Sequence, residues 1–144
     1  MATQASSTDP RIAVTIGFAA SENGAGVAYA EIVSPKGERT WRVPFSVHRA
    51  PALLEREVGY DAVAAVGARL LAAGCRRVEL RIADDRLMED LAQRRELPAA
   101  LALRYVRLGC LLNRFESARV VDGGDVAAGL TARARAEVAL ASVA

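Results

Sequence analysis

The chain has 144 residues, with 19 Lys and Arg against 17 Asp and Glu, giving a formal charge of +2 at pH 7. That balance is too even for a domain whose affinity rests on phosphate neutralisation alone. Hydrophobic residues make up 52% but aromatic ones only 5%, so the core should be Ala, Val and Leu, suited to helices packed closely on a sheet, with few rings on which bases could stack. This length supports one domain whose core needs neither disulfides nor a structural metal.

Residues 1–10 are small and polar with no apolar run, which reads as a disordered tail ahead of a single domain over 11–144. Ile12, Val14 and Ile16 alternate with Ala13 and Thr15, and the cluster Ser21, Glu22, Asn23, Gly24 separates this strand from a second over residues 26–33. Gly24-Ala25-Gly26 therefore reads as a hairpin turn; it joins two strands and lacks the helix and Lys of a phosphate-binding loop. A second turn signal, Pro35-Lys36-Gly37, precedes alternation over residues 40–47, in which Pro44 points to an edge strand. The three strands should form an antiparallel meander.

Pro51 suits the first turn of a helix. Leu54, Val58, Ala62, Val66, Leu70 and Ala73 then recur at helical spacing until Gly74 stops it. Residues 77–82 alternate at strand period, so strand, helix, strand predicts a crossover that lays the fourth strand parallel to the first. Asp84 and Asp85 open a helix expected to reach Arg95. Pro98 starts another, with Leu101, Tyr105, Leu108, Leu112 and Phe115 on one face and Arg104, Arg107 and Arg114 on the other. A short strand over 118–121, a turn at Asp122-Gly123-Gly124, and Asp125 as N-cap lead into a closing helix over 126–138.

Three segments resemble the ribonuclease H family. Residues 11–33 (RIAVTIGFAASENGAGVAYAEIV) look like its opening hairpin, 60–85 (YDAVAAVGARLLAAGCRRVELRIADD) its first helix and fourth strand, and 113–138 (NRFESARVVDGGDVAAGLTARARAEV) its fifth strand and last helix. The resemblance implies an α/β fold: a five-stranded mixed sheet in the order 3-2-1-4-5 with helices on both faces. It also implies where chemistry should be. Active members hold two divalent ions between four carboxylates, and those positions fall on Gly17, Gly59, Ala83 and Ala128, with Asp84 and Asp85 as remnants. Catalysis, metal and cofactor are accordingly not expected. Asp84 and Asp85 read better as a helix cap and favourable first-turn charge. A nuclease built on a relocated set, Asp61, Asp84, Asp85 and Asp125, is the less favoured alternative.

The arginines remain as candidates, since the family grips duplex backbones through basic helical surfaces. Arg104, Arg107 and Arg114 should project together from one helix, with Arg76 and Arg77 beside the fourth strand. The expected function is a non-catalytic binding module for nucleic acid, an RNA/DNA hybrid or a duplex, or for a nucleic-acid-associated protein. The rival is a protein-interaction or assembly subunit, including a homo-oligomer, using the edge around residues 41–45 or a face bearing Leu103, Tyr105 and Leu111. His48 reads as a surface residue without a catalytic partner. Cys75 and Cys110, with no CxxC, fit a reduced cytoplasmic protein, and no run is apolar enough to span a membrane.

Overall fold

The computed structural model describes residues 11–48, 54–92 and 96–143. Strands β1 (Ile12–Ala20), β2 (Ala25–Ser34) and β3 (Gly37–Ser46) form the meander, each longer than its alternating core. Gly24 sits at φ +93° and Gly37 at +126°, left-handed conformations that both hairpin turns need. The first turn is tied by Ser21 N donating to Ala25 O at 2.8 Å and by Ala25 N donating to Asn23 Oδ1 at 3.0 Å.

Helix α1 (Leu54–Ala72) ends at Gly74, φ +87°, where Cys75 N donates to Leu70 O and Gly74 N to Leu71 O, both at 3.0 Å. This paired return closes the last turn and aims the chain back at the sheet. Strand β4 (Arg77–Ile82) then lies parallel to β1, with Ile12 opposite Val78 and Val14 opposite Leu80. Helices α2 (Asp85–Leu91) and α3 (Ala99–Leu112) follow, then β5 (Ser117–Asp122), parallel to β4, and α4 (Gly124–Val143). The sheet order is β3-β2-β1-β4-β5, as anticipated.

One face of the sheet carries the main core. Val14, Ile16, Ala30, Val78 and Leu80 meet Tyr60, Val63, Val66 and Leu70 of α1, Leu87 of α2, and Leu101 and Leu108 of α3. The other face is thinner: Val27 and Tyr29 pack on Ala134, with Ala19, Leu130 and Val138 around them. Helix α4 runs over Gly124–Val143 rather than 126–138, and two further features differ from expectation. Helix α2 stops at Leu91, and residues 93–95, which include Arg94 and Arg95, lie outside the described residues, as do Pro51 and the tail 1–10. Asp125 lies inside the first turn of α4 rather than capping it; Asp122 Oδ1 instead accepts from Gly124 N at 3.2 Å. No helix among the described residues is long and apolar enough to cross a membrane.

Candidate functional site

The C-terminal ends of β1 and β4 lie side by side, and α1, the β4–α2 junction and α4 close around them into a cleft of about 530 Å³. Side chains alternate along β1, so neighbours face opposite layers. Gly17 faces α4: a Cβ there would lie 2.1 Å from Thr131 N and 2.3 Å from the Leu130 carbonyl carbon. Phe18 faces the α1 layer and lines the cleft. The strand-one position that looks into the cleft is thus Phe18, one residue on from the expected Gly17.

Gly59 and Asp84 do meet. A Cβ on Gly59 would lie 2.6 Å from Asp84 Oδ2 and 3.5 Å from the Phe18 ring. Of the strand-four candidates, Ala83 is exposed at the cleft, whereas Asp84 is the one beside Gly59. Asp84 is the N-cap of α2, its Oδ1 accepting from Leu87 N at 3.0 Å, and Asp85 is exposed in the first turn. Ala128 is exposed and does not line the cleft; α4 contributes Thr131 and Arg135 instead.

A two-metal centre needs several hard oxygen ligands converging on one space. Here that space is met by a phenyl ring, a glycine and Asp84, already committed to a cap; of the other carboxylates that line the cleft, Asp90 is held by Arg56 and Tyr60, and Glu22 and Asp85 do not converge with them. Among the described residues no group of three or more His, Cys, Asp or Glu is placed to hold a metal ion. The residues present do not fit the metal pair of an active nuclease, and the relocated set does not converge either.

The cleft floor is polar and closed. Arg56 Nη2 donates to both oxygens of Asp90 at 2.7 Å, and Tyr60 OH donates to Asp90 Oδ2 at 2.8 Å. The Asp90 side chain is 1% exposed and that of Arg56 14%, so removing either group would leave the other buried without its partner. Burial, and next the bond to Asp90, push the Tyr60 phenol well above its ordinary pKa, which keeps it a donor.

No protein-family profile and no curated protein matches this sequence. Solved structures do. Ribonuclease H1 from the halophilic archaeon Halobacterium salinarum superposes with a TM-score of 0.66 at 18% identity, covering 88% of this chain and 98% of that one. The N-terminal ribonuclease H domain of a Mycobacterium tuberculosis protein gives 0.61 at 11% identity, covering 86% and 95%. The compost-derived LC11 ribonuclease H1, in complex with an RNA/DNA hybrid, gives 0.63 at 12% identity, covering 88% and 98%. The chain has the ribonuclease H fold.

On this ribonuclease H scaffold the arginines divide. Arg104 was expected on an exposed stripe, but its side chain is 20% exposed and reaches back across α1. Its Nε donates to Asp61 Oδ1 at 3.2 Å and its Nη2 to the His48 carbonyl at 2.6 Å, with Glu57 Oε2 at 4.0 Å. Burial raises the Asp61 pKa, and the bond from Arg104 opposes that rise. Arg76 and Arg77 pair with Glu116 at 3.2 and 3.3 Å. Arg107 and Arg114 are exposed, and Arg86 and Arg135 are exposed at the cleft. The proposed interaction face also separates: Leu103 is exposed, whereas Leu111 packs towards Gly67 of α1 and Tyr105 is half-buried.

Phe18, Arg86, Arg135 and the Arg56–Asp90–Tyr60 floor were missed from sequence. Phe18 was within reach, because extending the β1 alternation past Ile16 puts it in phase with Val14. The others depend on which elements meet in space.

Proposed function

We propose that this chain is a non-catalytic ribonuclease H-like domain that binds nucleic acid, an RNA/DNA hybrid or duplex, through its exposed arginines. The observation that carries the reading is the cleft. Phe18 and Gly59 face Asp84 where metal-binding carboxylates would have to gather, while the scaffold around them is whole. The structural neighbour solved with a hybrid supports a nucleic-acid ligand. Arg107 and Arg114 on and just beyond α3, with Arg86 and Arg135 at the cleft mouth, are the cations for phosphate contacts, because Arg104, Arg76 and Arg77 are engaged within the chain.

A mobility-shift titration with hybrid, duplex RNA and duplex DNA at low and moderate salt tests this. Binding should weaken steeply as salt rises. Replacing Arg107 and Arg114 together with Gln should flatten the duplex-DNA slope by about 0.9 log unit per lost contact. Mg²⁺ and Mn²⁺ should produce no cleavage and no rise in melting temperature. Absence of binding at low salt overturns the nucleic-acid ligand. Cleavage that disappears in Asp84→Asn overturns the loss of catalysis.

A further inference from the structure

Helix α4 covers only part of its face of the sheet. It packs chiefly on β1 and β2 and meets β4 near the C-terminal end of that strand, where a Cβ on Gly123 would lie 2.6 Å from Ala127 Cβ and 3.0 Å from the Arg81 carbonyl carbon. Val78 and Leu80 of β4, with Ala118 and Val120 of β5, point into the main core, so Arg77, Glu79, Arg81 and Arg119 point the other way. Arg11, just ahead of β1, joins them: its Nη2 reaches over β4 to donate to Ser117 Oγ on β5 at 2.8 Å. Both Arg11 and Arg119 are exposed. Towards the N-terminal ends of β4 and β5 this face is open.

Positive charge gathers there. Arg76, its side chain 71% exposed, and Arg77 share one carboxylate, Glu116, at 3.2 and 3.3 Å. Glu79, opposite Arg119 in the register, is held instead by Arg81 at 2.8 Å. Five arginines thus meet two glutamates, a surplus of three charges where the whole chain has a surplus of two. Residues 1–10, which precede Arg11, contain a single acid, Asp9, too few to cancel that surplus. Arg11 stands beside Arg77, since Ile12 pairs with Val78, and like charges on neighbouring strands repel. Its hydrogen-bond partner is a neutral hydroxyl, which cannot balance its charge.

We propose that this open end of the β4–β5 face is a second phosphate-binding surface, on which Arg11 and Arg119 grip the sugar–phosphate backbone of the nucleic acid, with Arg76 and Ser117 beside them. The inference rests on the nucleic-acid reading and adds to it a contact that the cleft does not provide. Guanidinium forks and hydroxyls are groups that hold phosphate oxygens. No large apolar side chain of β4 or β5 is exposed, so the face lacks the apolar centre of a protein interface. Neither strand carries an aromatic ring on which a base could stack. The contact is therefore to the backbone and blind to sequence. It lies at the opposite end of β4 from the cleft, about 20 Å away along a strand of 6 residues.

The test is titration of duplex DNA at several salt concentrations with four proteins. They are wild type, Arg11→Gln with Arg119→Gln, Arg11→Lys with Arg119→Lys, and Lys36→Gln with Arg39→Gln, a control that removes the same charge from the β2–β3 hairpin. The first double variant should flatten the log–log salt slope by about 0.9 unit for each lost contact. The Lys pair, which keeps both charges, and the control should keep the wild-type slope. The Gln variant should melt within about 3 °C of wild type because both side chains are exposed, so a loss of slope is not a loss of fold. Equal slopes for wild type and the Gln variant overturn the proposal and leave the nucleic-acid reading standing. Wild type that binds no nucleic acid at low salt removes that reading and this inference with it. A control that flattens the slope as much overturns the proposal, since bulk charge would then be the cause. So does poly-glutamate that binds as tightly as the duplex and is lost by the Gln variant, which would make an acidic protein the occupant.

Discussion

The two faces of the sheet are held by different means, and β1 shows it within two consecutive residues. On the α1 face, Phe18 joins a deep core that also encloses charge: Asp90 and Glu57 are 3% and 1% exposed, each beside an arginine. On the α4 face the core is a few small contacts, and the helix comes so close that only a missing side chain at Gly17 admits it. The charges of that face lie in the open, with the Arg42 and Glu137 side chains 54% and 30% exposed. Burial and paired charge fix one layer; close backbone approach fixes the other.

The sharpest way to break that comparison is to place one new side chain on each face. Gly17→Asp must displace the Leu130–Thr131 backbone and bury an unpaired charge, so it should cost more than about 4 kcal/mol, enough to remove α4 packing. Phe18→Asp loses only a half-buried ring and opens onto the cleft, costing about 2 kcal/mol. Urea unfolding of both variants checks the order. If Gly17→Asp is the milder change, the assignment of faces is wrong.

Next in size is the cleft floor. Asp90→Ala strands the Arg56 guanidinium and the Tyr60 hydroxyl without their shared acceptor, and removing one partner of a buried pair costs about 3–5 kcal/mol. Asp90→Asn, which keeps an acceptor oxygen, should lose less. Equal stability of Asp90→Ala and wild type in denaturant melts would show that the α1 face does not depend on enclosed charge.

The order of the strands was legible because local signals agree with the fold. Gly24, Gly37 and Gly74 stand where left-handed backbone is needed, and the alternation at residues 12–16 and 77–82 marks two strands joined by a helical crossover. The cleft was half legible. Gly59 and Asp84 fall together, and Phe18 follows only when the β1 alternation is carried across Gly17, which has no hydrophobic phase of its own. Arg104 misled for a different reason. It lies off the apolar stripe of α3, which on a lone helix means solvent, yet its long side chain reaches Asp61 on α1. Nothing local to residues 99–112 encodes that partner.

The smallest expected effect belongs to the exposed pair on the α4 face. Glu137 accepts from Arg42 Nε at 3.1 and 3.0 Å, from Arg42 Nη2, and from the Tyr29 hydroxyl, while Arg133 lies over the Tyr29 ring. The bond from Arg42, then that from Tyr29, holds the Glu137 carboxyl down to about 2, from an ordinary 4.5. A depressed carboxylate stabilises the fold above its unfolded pKa, and that contribution fades as pH falls from about 4.5 through about 2. Because the pair is solvent-screened, its net worth is far below what the shift would imply. Glu137→Gln should therefore lower the melting temperature by only about 2 °C at pH 7. The gap between variant and wild type should close below pH 4.5 as the wild-type carboxylate becomes protonated. A gap that persists unchanged at pH 2 would mean that Glu137 acts through packing on Tyr29 rather than through charge, and the α4 face would then rest on contact alone.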